Sequence, residues 1–252
     1  MRKIPTINCS KEEVISQLNN QFFSKGVEAV ICSTNQPQTL DKIFIDSCSR
    51  QLSTMSDNKL EKVKRLYQMQ LENTVEPLAL ICASGTIVGY RMFHPERYLT
   101  LEKAVLSRKQ RITAMRNSQE TLEEFTRRNF MYPDIKGDNI LVNPITGDII
   151  FCDMDNICMP DLPTDVKPFE LQLFCEAYGG LDKNAQVYMH NLLTLQQLGF
   201  KDYIPPHYRD VLLSLKKGQR PTGFKQNATP IIESMLDPQN FNGEYIAKYI
   251  KR

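Results

Sequence analysis

Tyr132-Pro-Asp-Ile-Lys-Gly-Asp-Asn-Ile-Leu-Val142, followed by Ile149-Ile-Phe-Cys-Asp-Met-Asp-Asn156, decides how this 252-residue chain is read. Ile140-Leu-Val142 and Ile149-Ile-Phe-Cys152 are short apolar runs, and Pro144-Ile-Thr-Gly147 between them supplies turn residues. Together they predict a β-hairpin. Asp134 stands just ahead of the first strand, with Lys136 two residues on and Asn139 five residues on. A hairpin returns the chain to the end it left, so Asp153 is expected to emerge beside Asn139. Two carboxylates, an amide oxygen and an ammonium are then expected at one hairpin mouth.

That set suits phosphoryl transfer. Its transition state spreads negative charge over oxygens, so catalysis is mainly positioning and electrostatic neutralisation. A carboxylate and an amide oxygen are hard ligands of the kind Mg²⁺ takes while keeping waters and bridging phosphates. A separate carboxylate can orient an attacking hydroxyl and accept its proton.

Outward from this stretch, Gln110–Arg128 reads as an amphipathic helix, with Ile112, Met115, Leu122 and Phe125 on one side. A second helix is expected over Leu99–Ser107, and the strongest helix of the C-terminal part from about Leu181 to Leu198, ahead of Gly199. Upstream, Leu78–Cys82 and Ile87–Met92 form a hairpin around Ala83-Ser-Gly-Thr86. A helix begins at Ser56 or Asp57, with Leu60, Val63, Leu66 and Tyr67 on its apolar face. Val27–Cys32 and Ile43-Phe-Ile45 are short β-like runs, and Asn35-Gln-Pro-Gln38 a turn. Strands thus gather in the front third and helices in the remainder, which argues for α+β rather than a repeating βαβ fold.

The chain resembles the protein-kinase superfamily. Tyr132–Asn139 stands where H-R-D-x-K-x-x-N is expected, and Asp153-Met-Asp155 where D-F-G is expected. Gly89-Tyr-Arg-Met92, the D-x-x-x-x-N loop and Asp-x-Asp-Asn together look like a bacterial group of atypical kinases with D-x-D-[SN] in place of D-F-G. The resemblance implies a bilobal fold, with a small β-rich lobe over 1–93 and a larger helical lobe over 94–252. It implies ATP and Mg²⁺ as cofactors, Asp134 as catalytic base, Lys136 as a γ-phosphate contact, and Asn139 and Asp153 as metal ligands. Asp155 reads either as a second metal contact or as a turn-forming acid.

For the front lobe, the resemblance implies a Gly-rich phosphate loop, a strand lysine and a helix glutamate. Ser24-Lys-Gly-Val-Glu-Ala-Val30 retains only Gly26 of three expected glycines. Lys42 stands for the strand lysine, and Glu61, nineteen residues on, for its ion-pair partner, with Glu72 the alternative. Adenine is expected against Met92 and Phe93; Pro95, lacking an N–H, cannot donate there. Asp182 is expected to start the long helix and tie down the catalytic loop. Pro133 replaces the arginine before the catalytic aspartate, which argues against activation through that arginine.

Composition sets the frame. The net charge is +2 and basic residues are scattered, so charge gives no support for nucleic-acid or membrane partners. Seven cysteines form no C-x-x-C pair and mostly sit in apolar runs, as reduced thiols do. No signal peptide is recognised and no apolar run approaches the ~20 residues of a membrane helix, so a cytoplasmic protein is expected. Lys136 favours a protein Ser/Thr substrate, since aminoglycoside-type phosphotransferases share the D-x-x-x-x-N loop but usually lack that lysine. A pseudokinase scaffold is the alternative, motivated by the reduced Gly loop. A small-molecule kinase or AMP transferase on the same fold is the third reading.

Overall fold

A computed structural model describes residues 2–164, 171–172 and 183–197. The chain is mixed α/β and divides into two compact units. The first comprises Met1–Tyr98 with Phe151–Asp155; the second comprises Leu99–Ile150 and Asn156 onward. The expected division at 93/94 is thus displaced a few residues, and a short acidic segment from beyond the hairpin joins the first unit.

The first unit is built on a six-stranded sheet: β1 (Thr6–Cys9), β2 (Phe22–Lys25), β3 (Ala29–Ser33), β4 (Thr39–Phe44), β5 (Pro77–Ala83) and β6 (Thr86–Phe93). Their order is β1-β5-β6-β4-β3-β2, with only the β1–β5 pair parallel. Helix α1 (Lys11–Asn20) starts on a capping box between Ser10 and Glu13. Helix α2 (Asp57–Met69) starts with Ser56, whose hydroxyl accepts from the Lys59 N–H. The core on the α1 side gathers Val14, Val30, Cys32, Ile43, Ile45, Ile81, Ala83 and Val88. Residues 40–44 of β4 are all buried, so side chains on both of its faces are shielded from water.

Register matters most on β4. Lys42 lies opposite Tyr90 of β6, and Asp41 opposite Arg91. Because side chains alternate, Asp41 falls on the Ile43 face and Lys42 on the other. On its own face Asp41 takes both nitrogens of the Arg91 fork, at 2.7 and 3.0 Å, and the amide of Gln17 from α1 at 2.7 Å. Gly89 permits the approach of β6 to β4, since a Cβ there would lie 2.2 Å from the Lys42 carbonyl oxygen.

In the second unit, β7 (Leu99–Thr100), β8 (Ile140–Val142) and β9 (Ile149–Phe151) form a three-stranded sheet in that order. Helix α3 (Arg108–Arg127) begins on a capping box between Ser107 and Gln110. Helix α4 spans Lys183–Gln197, close to the expected limits. The expected helix over Leu99–Ser107 does not form: Leu99 pairs with Val142, and Ser107 is the cap of α3. The Leu101 N–H donates to the Ile140 carbonyl at 2.7 Å, so sheet pairing claims the backbone a helix would need. The first forty residues, where only Val27–Cys32 was legible as a strand, also contain β1, α1 and β2. Asp182, Cys175, His207 and the Pro205-Pro206 turn lie outside the described residues.

Candidate functional site

The first unit gathers one cluster around Lys42. The strand β9 ends at Phe151, whose N–H donates to the Asn73 carbonyl and whose carbonyl accepts from the Val75 N–H, each at 2.8 Å. The chain then turns through Asp153, at φ 60°, into a 3₁₀ turn over Met154–Asn156. Aspartate is among the non-glycine residues that tolerate this left-handed region. The turn delivers Asp153 and Asp155 to one ammonium: Lys42 Nζ donates to Asp153 Oδ1, and to Asp155 Oδ1 at 2.6 Å. The Tyr90 hydroxyl, opposite Lys42 in register, also donates to Asp155 Oδ1, at 2.7 Å.

Asp155 is fully buried, whereas the Asp153 side chain keeps 27% of its surface. The second oxygen of Asp155, Oδ2, accepts no hydrogen bond and faces the Lys59 ammonium at 3.5 Å. Lys59, in the first turn of α2, also pairs with Glu28 in the turn between β2 and β3. Both lysine ammoniums stand over the Phe44 ring, at 5.5 and 5.1 Å from its centroid.

The electrostatics follow from burial and pairing. Burial pulls the Lys42 ammonium towards neutrality, but the Asp153 and Asp155 carboxylates outweigh it and hold its pKa well above the ordinary lysine value. Burial opposes the Asp155 charge, yet Lys42 and Lys59 keep its carboxyl below the usual carboxylate range. The Tyr90 phenol is raised, first by burial and then by the adjacent Asp155 charge.

The second unit holds a shorter, local cluster. Asp134 is buried, and its Oδ2 accepts from Lys136 Nζ at 2.8 Å and from Asn139 Nδ2 at 2.7 Å. Asn139, last residue of a 3₁₀ turn over Gly137–Asn139, also donates to the Asp134 carbonyl at 3.0 Å. Its amide nitrogen is thus turned to Asp134, leaving Oδ1 as the atom able to meet a cation. The loop is fixed at its N-terminal end. The Tyr132 N–H donates to Gln186 Oε1 of α4 at 2.7 Å, and Gln186 Nε2 donates to the Leu122 carbonyl of α3 at 2.9 Å. Met131 and Cys158 exchange backbone hydrogen bonds of 2.9 and 2.7 Å.

The expected residues therefore fall into two sets. Lys42, Asp153 and Asp155 meet in the first unit; Asp134, Lys136 and Asn139 meet in the second. Glu61 does not pair with Lys42: its carboxylate takes Arg65 one turn along α2, at 3.2 Å. Gly26 opens the β2–β3 turn, with its N–H donating to the Ala29 carbonyl at 2.8 Å. Met92 is buried opposite Leu40. The Phe93 N–H is taken by the Glu76 carbonyl at 3.0 Å, and the next N–H, of His94, by the Gln38 carbonyl at 2.8 Å. Sequence reasoning gave no role to Tyr90, Lys59 or Gln186. Tyr90 follows Lys42 by 48 positions in sequence, and only the strand register puts the two opposite each other.

Among the described residues no group of three or more His, Cys, Asp or Glu side chains forms a ready-made cation site. The Asp153 carboxylate, whose side chain keeps 27% of its surface, is nevertheless a hard oxygen donor of the kind Mg²⁺ takes. That ion is commonly held by one or two carboxylates and completed by waters and substrate phosphates. No protein-family model matches this chain, and no curated protein matches it.

Proposed function

We propose that this protein is an ATP- and Mg²⁺-dependent phosphotransferase of bilobal protein-kinase-like fold, acting on a hydroxyl, with Ser/Thr of a protein as the acceptor. The observation that carries the reading is the pairing of a strand lysine, Lys42, with Asp153 and Asp155, 111 and 113 residues away. No local propensity requires that meeting, and it unites the residues that the kinase resemblance assigns to phosphate and metal. The order of elements adds support: the turn holding Gly26, the strand holding Lys42 and helix α2 follow one another as the resemblance implies.

In this reading Asp134 orients the acceptor hydroxyl and takes its proton, held in place by Asn139 and loop-fixed through Tyr132. Lys136 and Lys42 contribute positive charge where phosphate oxygens gather charge. The kinase resemblance assigns metal binding to Asp153 in the first unit and to Asn139 in the second, and Mg²⁺ would supply positive charge to the phosphate oxygens. Six free thiols among the described residues accord with a reducing, cytoplasmic setting, and no described helix is long and apolar enough to cross a membrane.

Transfer of label from γ-labelled ATP to a generic protein substrate or to the chain itself tests the reading. Asp134→Asn should lower it by about 10²–10⁴-fold. Equal labelling by the two proteins would refute the assignment of the base.

One observation favours a pseudokinase instead: the amides of Gly26 and Phe93, at positions the kinase resemblance gives to phosphate and adenine, are already hydrogen-bonded within the first unit. Mg²⁺-ATP should stabilise an enzyme by about 2.7 kcal/mol at 100 times Kd, and no shift at millimolar ATP selects the scaffold. Mass spectrometry of the product separates transfer of phosphate from transfer of AMP.

A further inference from the structure

A buried carboxylate pairing two lysines is more than a turn-forming acid. We infer that Asp155, rather than Glu61, is the fixed positioning residue that holds Lys42 in place, and that Asp153 is the exchangeable partner Lys42 gives up when phosphate arrives. The inference rests on the phosphotransferase reading for its last step only.

The two aspartates differ in how they are held. Asp155 is wholly buried, its Oδ1 shared by Lys42 at 2.6 Å and the Tyr90 hydroxyl at 2.7 Å, its Oδ2 turned to Lys59 at 3.5 Å. Two ammoniums and a phenol surround one carboxylate, so a divalent cation brought against it would meet two like charges. Removing Lys42 from Asp155 would leave a buried, undercompensated charge, which is costly. Asp153 keeps a water-accessible side chain on a residue with left-handed backbone, so water or a ligand can replace the ammonium there at much lower cost. Glu61 is nearly half exposed and serves Arg65 on its own helix. The phenol of Tyr90 lies opposite Lys42 in the strand register, so the sheet itself aligns the lysine with its anchor. Lys59 extends the same cluster through Glu28 to the turn that holds Gly26.

Pulse acylation of the ligand-free full chain with an amine-reactive ester, read by peptide mass spectrometry, tests the anchoring without nucleotide. Lys62, itself buried on α2, reports unfolding in the same sample. Asp155→Asn should raise the Lys42 rate roughly tenfold with Lys62 unchanged, as expected for loss of local protection. Asp153→Asn should raise it less, and Glu61→Gln should leave it at the wild-type rate. Tyr90→Phe, which keeps the carboxylate, should give a smaller rise of about threefold, the loss of one hydrogen bond. A rise in Asp153→Asn or Glu61→Gln that equals or exceeds that in Asp155→Asn overturns the inference. So does a parallel rise of Lys62 in both Asp155→Asn and Tyr90→Phe, which reduces Asp155 to a residue of the fold. A second arm adds ATP without metal to the wild-type chain. Slower Lys42 acylation supports the exchange step; an unchanged rate overturns that step, while the anchoring result stands on the first arm and the phosphotransferase reading on the label-transfer assay.

Discussion

The cluster of the first unit and the cluster of the second use the same chemistry, carboxylate against ammonium, at opposite sequence ranges. Asp134, Lys136 and Asn139 lie within six residues and arrange one another through a single turn. Lys42, Tyr90, Asp153 and Asp155 come from three distant segments and meet through the β4–β6 register and the turn after β9. The local cluster leaves Lys136 more than half exposed, whereas the long-range one buries its lysine and encloses one aspartate completely. A local turn can be built on the surface. A long-range charge cluster needs a packed sheet around it, so stability and any chemistry depend on each other there.

The largest effect that separates the two is expected from Lys42→Met. It leaves Asp155 buried with one cation fewer, and breaking a buried pair in this way costs about 3–5 kcal/mol. Urea unfolding should show a lower midpoint with the slope unchanged. A loss under 1 kcal/mol would mean that the cluster is hydrated and that the contrast with the second unit is false.

Acid should act on the two units in different windows. His190 of α4 is buried against Ser118 of α3, with Nε2 2.8 Å from the hydroxyl, and burial lowers its pKa to about 4. The unfolded chain takes up that proton near pH 6.5, so between pH 6.5 and about 4 it binds more protons than the folded state. Stability therefore falls as pH falls across this window, by at most about 3–4 kcal/mol at 1.36 kcal/mol per pH unit. Asp155, held below the ordinary carboxylate range, stabilises above its unfolded value and loses that contribution only at lower pH. Hydrogen exchange should show α3 and α4 losing protection before β4 and β6, with His190→Gln flattening the change. Simultaneous loss in both units, unchanged by that substitution, would remove the distinction.

The difference in range also explains what the sequence made legible. The hairpin over β5 and β6, helix α2 and the loop from Asp134 to Asn139 follow from local period, turn residues and caps. Edge strands β1 and β2 carry too few apolar residues for their alternation to register, and β2 is exposed throughout. Leu99–Ser107 has apolar residues that look helical, but pairing with β8, a partner 41 to 43 residues away, prevailed over local preference. Lys42 was legible as a strand lysine, its partner was not. Nineteen residues of spacing pointed to Glu61, while the turn at Asp153 brought in carboxylates that spacing along α2 cannot reveal. Gln186 was missed for the same reason, since its hydrogen bonds to Tyr132 and Leu122 cross 54 and 64 residues.

The smallest effect on stability is expected at the exposed end of the local cluster. Lys136 contacts Asp134 at 2.8 Å but keeps 55% of its side-chain surface. An exposed pair gives up side-chain entropy to hold its geometry and is screened by salt, so Lys136→Ala should cost under about 1 kcal/mol. Any such cost should shrink further in 1 M salt, where the Debye length is about 3 Å. Asp134 does not depend on it, because Asn139 Nδ2 still donates to the same carboxylate oxygen. If phosphate transfer nevertheless falls by tenfold or more in this variant, about 1.4 kcal/mol of transition-state stabilisation, the ammonium acts on substrate rather than on the fold. A parallel loss of stability and transfer would instead make Lys136 a support of the loop, and the two clusters would then be alike in coupling structure to charge.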